Sequence, residues 1–105
     1  MSERSHRIGC FVILLATLAA TSSFAADADH GETLAKRWCA TCHLVGPDQK
    51  ATTTDAPPFA AVAKMRDFDP ARLAFFLLNP HPKMPNMALS RTEAADIVAY
   101  IATLK

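Results

Sequence analysis

No surplus of charge marks this chain: 11 Lys and Arg stand against 10 Asp and Glu in 105 residues, a net of +1. That balance supplies neither the basic stripe that nucleic acid requires nor a polybasic membrane surface. Long apolar runs are missing too. The stretch over residues 8–20 is 13 residues long, short of the roughly 20 that a spanning helix needs. Cysteine is too scarce for a disulfide framework, because only three are present and Cys10 lies inside that apolar stretch. Internal repeats, low-complexity tracts and strand patterns are also absent, so the domain is expected to be all-α.

What is present begins with an export signal. Arg4, His6 and Arg7 form a basic start, residues 8–20 an apolar centre, and residues 21–25 end in a small-x-small pattern with Ser23 and Ala25 at the two small positions. Residues 1–25 are therefore assigned as a signal peptide cleaved after Ala25, and residues 26–105 as one domain. The competing idea is an uncleaved anchor. Cys10 is not in a lipoprotein-type cleavage site and leaves with the signal. The mature chain of 80 residues then carries 9 basic and 9 acidic side chains and two cysteines. A core of that size is barely sufficient alone, so a large apolar group fixed in its middle would supply much of the missing buried surface.

The two remaining thiols sit in Cys39-Ala40-Thr41-Cys42-His43. C-x-x-C-H is the spacing at which a peptide holds haem covalently, with both sulfurs bonded to one edge of the porphyrin and the next residue facing the iron. Cys39 and Cys42 are read as thioether tethers and His43 as the proximal ligand. A redox dithiol is the first rival, but its usual strand–helix–strand setting is not found. Structural zinc is the second, and it would need His30 or His81 as a fourth ligand at spacings unlike the common Cys2His2 arrangement.

Helix signals fill the rest of the chain. Asp29 is expected to cap a first helix running to Trp38 or Cys39, with Glu32 closing a capping box and Gly31 and Ala35 forming a small-residue face open to a second helix. Residues 44–58 read as loop, residues 59–64 as a short helix, and residues 66–69 as a connector, with Met65 in the core. Asp69-Pro70 starts a helix that buries Leu73, Phe76 and Leu77 and stops at Asn79-Pro80. A proline-punctuated loop follows. Ser90 and Glu93 then form a second capping box, and the last helix, about residues 91–104, presents Ala94, Ile97, Val98, Ile101 and Leu104 as one apolar face bordered by Tyr100.

This order of parts resembles the class I cytochrome c family, in its short bacterial form, over essentially all of residues 27–105. The resemblance implies a small all-α fold whose N- and C-terminal helices cross over one covalently bound haem c. It implies a glycine eight residues before the first motif cysteine, here Gly31, packed against an aromatic of the last helix, here Tyr100. It further implies a distal methionine before that helix, which falls on Met84 in Met84-Pro85, with Met87 as rival and His81 as a weaker one. The acceptor for the other imidazole nitrogen would be a proline carbonyl, Pro57 first and Pro58 second. Trp38, Phe59, Phe75 and Phe76 are candidates for packing on the haem or for ordinary core.

The resemblance implies a periplasmic protein, not an enzyme, that carries single electrons between transient protein partners as a monomer. A thioether is a soft ligand favouring reduced iron, and filling both axial positions leaves none for substrate. Two alternatives remain at this point. The chain would be a dedicated cytochrome subunit of a periplasmic dehydrogenase, or a haem-based sensor or catalyst with its methionine absent or displaced.

Overall fold

A computed structural model describes residues 25–80 and 82–105 of the chain. The expected signal peptide with Cys10, and His81, lie outside the described residues. Within these limits the protein has four helices and no strand: α1 (Ala28–Trp38), α2 (Phe59–Ala63), α3 (Pro70–Leu78) and α4 (Arg91–Ala102). The crossing of α1 with α4 is the principal packing, and α3 and α2 also lie against α4.

Local signals start three of these helices. Asp69 caps α3 by accepting the Arg72 N–H at 3.1 Å, with Pro70 in the first turn. Ser90 Oγ accepts the Glu93 N–H at 3.1 Å while Glu93 Oε2 accepts the Ser90 N–H at 2.7 Å, so the expected capping box opens α4. At α1 the expected cap is corrected. Asp27, not Asp29, is the N-cap and accepts the His30 N–H at 3.0 Å. The shift has a tertiary cause, because Asp96 of α4 holds the Asp27 N–H at 2.8 Å and fixes where the helix begins. Asp29 becomes a first-turn acid that suits the positive end of the helix, and Glu32 pairs with Lys36 at 2.7 Å instead of closing a box.

The crossing is tight because Gly31 is buried against backbone. A Cβ there would lie 1.8 Å from the Asp96 carbonyl oxygen and 2.9 Å from the Ile97 nitrogen. The small-residue face expected from Gly31 and Ala35 is thus present, but the nearest neighbour of Gly31 is the α4 backbone and not the Tyr100 ring. Tyr100 turns its hydroxyl to the Val45 carbonyl instead. Around the crossing, Leu34 and Ala35 meet Ala94, Ile97, Val98 and Ile101 in one buried cluster.

Two core expectations are corrected. Phe76 is 39% exposed and Phe75 67% exposed, because α3 lays Leu77 on the core, with Leu73, Ala74 and Leu78 beside it. Met65 is 49% exposed and forms part of a shallow groove with Val62, Phe68 and Phe76, not of the core.

Candidate functional site

The motif lies at the C-terminal end of α1 and continues as an irregular loop, so its backbone groups need partners from elsewhere. The Cys39 N–H still reaches the Ala35 carbonyl at 2.9 Å, and the Cys39 carbonyl accepts the Cys42 and His43 N–H groups at 3.1 and 2.9 Å. The Thr41 carbonyl accepts from Thr53 N–H and Oγ1, and the Cys42 carbonyl accepts from Thr54 Oγ1 at 2.8 Å. The Ala40 and His43 carbonyls accept from Gln49 Nε2, at 2.7 and 3.1 Å. Phe59 N–H bonds the Leu44 carbonyl, Tyr100 the Val45 carbonyl, and Gln49 N–H the Gly46 carbonyl. Every carbonyl from Cys39 to Gly46 therefore has a donor.

That framework aims His43. Its Nδ1–H donates to the Pro57 carbonyl at 2.7 Å, the acceptor expected first. A carbonyl can only accept, so Nδ1 carries the proton, and the neutral imidazole then presents the lone pair of Nε2 to a metal. Phe59, buried at the start of α2, tilts against the imidazole with ring centroids 5.3 Å apart.

His43, Cys39 and Cys42 share one cavity of about 450 Å³ with Trp38, Met84 and Met87. This volume falls in the usual range for cofactor sites, about 300–1,000 Å³. Trp38 is 44% exposed there, with the Arg37 guanidinium 4.8 Å from its ring centroid. Phe75 and Phe76 do not line this cavity. Met84 and Met87 are both half-buried, on a loop where Ala88 takes a left-handed φ of 51° and its N–H is held by Asn86 Oδ1 at 2.8 Å.

Other chemistries fit this donor set poorly. Burial, and then the neighbouring Cys42, push the Cys39 thiol up to about 11, opposite to the lowered value that a reactive redox dithiol requires. His30 is committed elsewhere, with Nδ1 2.7 Å from Asp96 Oδ2. Among the described residues no three His, Cys, Asp or Glu side chains gather as metal ligands. Two thiols, a preset imidazole and thioethers around one largely apolar cavity do fit haem.

Gln49, Thr53, Thr54 and Asp96 were missed by sequence reasoning. Gln49, Thr53 and Thr54 are single polar residues in a loop, where no periodicity distinguishes a backbone donor from a solvated side chain. Asp96 falls on α4 beside the apolar stripe, where a charged residue reads as outward-facing.

This fold and site define a small haem-binding protein of the cytochrome c type. Residues 26–101 match the model of the family described as cytochrome c oxidase, cbb3-type, subunit III, and the chain belongs to this family of class I c-type cytochrome domains. It is also 53% identical over 100 residues to cytochrome c-552 of Bradyrhizobium diazoefficiens, covering 95% of this chain and 96% of that protein. No solved structure matches. The chain is accordingly a monohaem c-type cytochrome that binds its haem covalently and transfers electrons.

Proposed function

We propose that the mature protein, residues 26–105 after cleavage behind Ala25, is a periplasmic carrier that takes one electron from a donor protein and delivers it to an acceptor. Cys39 and Cys42 tether the haem, His43 is the proximal ligand and Met84 the distal one, with Met87 its rival in the same cavity. The observation that carries this reading is the His43 Nδ1–H bond to the Pro57 carbonyl, which leaves Nε2 for iron in a cavity shared with both thiols and a thioether.

The bound haem supplies a one-electron iron couple. The chain supplies the rest. Pro57 fixes the tautomer and tilt of His43, and Met84 contributes a soft sulfur that favours the reduced state. The His43 imidazole and the Met84 thioether would together hold the haem iron and leave no place open to oxygen or substrate, so the role is carriage and not catalysis. Partner contacts belong in the range below about 1,200 Å² that is typical of brief redox encounters, with the protein a monomer between them. Among the described residues no helix is long and apolar enough to cross a membrane.

Absorption spectra of the reduced protein with and without carbon monoxide test this assignment. A carrier with both axial ligands in place gives the same spectrum in each, whereas ready binding at neutral pH indicates a sensor or catalyst. The description of the family names an oxidase subunit, which favours a second reading as a cytochrome subunit of a larger redox enzyme. That reading predicts purification together with the enzyme.

A further inference from the structure

Two carbonyls of the attachment loop, on either side of Thr41 and Cys42, depend on one side chain. Gln49 Nε2 donates to Ala40 at 2.7 Å and to His43 at 3.1 Å, and lies 3.3 Å from the Ala51 carbonyl, while Oε1 accepts the Val45 N–H at 2.9 Å. A carboxamide offers two N–H donors and one acceptor oxygen, so the polar capacity of Gln49 is directed at this loop. The residue is only half-buried, yet all four contacts go to backbone between Ala40 and Ala51.

We propose that Gln49 is a positioning residue for His43, acting on the imidazole through the backbone without touching the haem. The proposal rests on the assignment of His43 as proximal ligand. Thr53 and Thr54 hold the carbonyls of Thr41 and Cys42, but the peptide planes before and after them stay free to pivot unless Ala40 and His43 are also held. With both held, the Cα–Cβ direction of His43 is set so that Nδ1 meets the Pro57 carbonyl at 2.7 Å. Freed, the two carbonyls turn toward water, the imidazole tilts and the Nδ1–H bond to Pro57 weakens. A weaker bond there makes the imidazole less basic, and a less basic ligand stabilises oxidised iron less. Loss of Gln49 therefore raises the reduction potential.

The test uses the holoprotein with two substitutions. Gln49→Met keeps the length of the side chain without polar atoms. Gln49→Glu keeps an acceptor for the Val45 N–H and removes the donors; its added negative charge itself lowers the potential, so this variant is read on the His43 resonances and serves where the methionine variant loads poorly. Thr33→Gly, on the exposed side of α1, is the control that loses stability through helix propensity and its exposed bond to the Asp29 carbonyl, with no contact to the attachment loop. Midpoint potential and the paramagnetically shifted ring resonances of His43 are read on all three and on the wild type. Gln49→Met raises the potential, both Gln49 variants move the His43 resonances, and Thr33→Gly leaves potential and resonances as in the wild type. Gln49 variants that melt earlier yet keep the wild-type His43 resonances, or a methionine variant that keeps the wild-type potential, overturn the proposal, as does a Thr33→Gly protein that shifts equally. A wild type without covalent haem overturns the assignment of His43 beneath it, and is recognised before any variant is made.

Discussion

Gly31→Ala adds one carbon at the closest point of the α1–α4 crossing. That carbon falls 1.8 Å from the Asp96 carbonyl oxygen and 2.4 Å from its carbon. Contacts under 3.0 Å are not tolerated by a real Cβ, so α1 must retreat from α4 by at least 1.2 Å. Neither atom belongs to a side chain that can rotate aside. The retreat loosens Leu34 and Ala35 from Ile97 and Ile101, which are all buried. Overpacking of this kind costs about 3 kcal/mol, at the upper end of its usual range because only backbone can yield. Alanine returns about 1 kcal/mol through its better helix propensity. The net loss is therefore ~2 kcal/mol, which for a domain this small lowers Tm by roughly 8–16 °C. Thermal melts of the oxidised holoprotein by far-ultraviolet circular dichroism measure it. Gly46→Ala is the internal comparison, since its Cβ would meet the Asp48 carboxylate at 3.1 Å and the Tyr100 hydroxyl at 3.2 Å, side-chain atoms that need move only a few tenths of an ångström. An unchanged or higher Tm for Gly31→Ala, or a larger loss for Gly46→Ala, refutes the reasoning.

The pair His30 and Asp96 gives the fold a pH dependence. The Asp96 hydrogen bond raises the His30 imidazole above its ordinary value against an opposing effect of burial, and the charges of Asp96, Asp27 and Glu93 add to the rise. Burial pushes Asp96 up, but the bonds from His30 and the Asp27 N–H bring it below the usual carboxylate value. The His30 contribution is complete below about pH 6.5 and is lost as pH rises through its raised value, and the Asp96 contribution is lost as pH falls through its lowered one. Tm should thus decline as pH rises above about 6.5 in the wild type and decline less in His30→Gln; parallel curves would contradict the linkage. Ala88→Gly should raise stability by about 1 kcal/mol by relieving the left-handed φ of 51°, and a lower Tm would show that no strain was held there. Met84→Ala should lower the reduction potential and alter the oxidised spectrum, whereas the same change confined to Met87→Ala would transfer the distal role to Met87.

How much of this was legible in the sequence depended on the distance over which each feature is decided. The caps at Asp69 and Ser90 and the apolar stripe of α4 are short-range patterns, and the structure repeats them. Pro57 was not read from such a pattern but from the family resemblance, which implies a proline carbonyl ahead of an aromatic, and the structure places that carbonyl on His43 across 14 residues of a single loop. The start of α1 was not legible. Asp29 and Asp27 are equivalent as local caps, and the choice is made by Asp96, 69 residues away. Gly31 was recognisable as a close-approach residue, yet what it approaches is set by the rotation of α4, which spacing alone does not specify. Phe76 was misplaced because a nine-residue helix can turn either of two adjacent apolar stripes to the core. At the site, the motif named the thiols and imidazole, while the scaffold that aims them came from Gln49, Thr53 and Thr54, whose roles exist only once the loop has closed.

The account stands most directly on covalent attachment of haem at Cys39 and Cys42. Intact mass spectrometry of the exported protein after acid denaturation and solvent extraction measures it. The predicted result is a single species equal to residues 26–105 plus one haem, reduced to the bare polypeptide when Cys39 and Cys42 are both replaced by alanine. A colourless wild-type polypeptide at the bare mass, or one holding zinc before denaturation, contradicts the account.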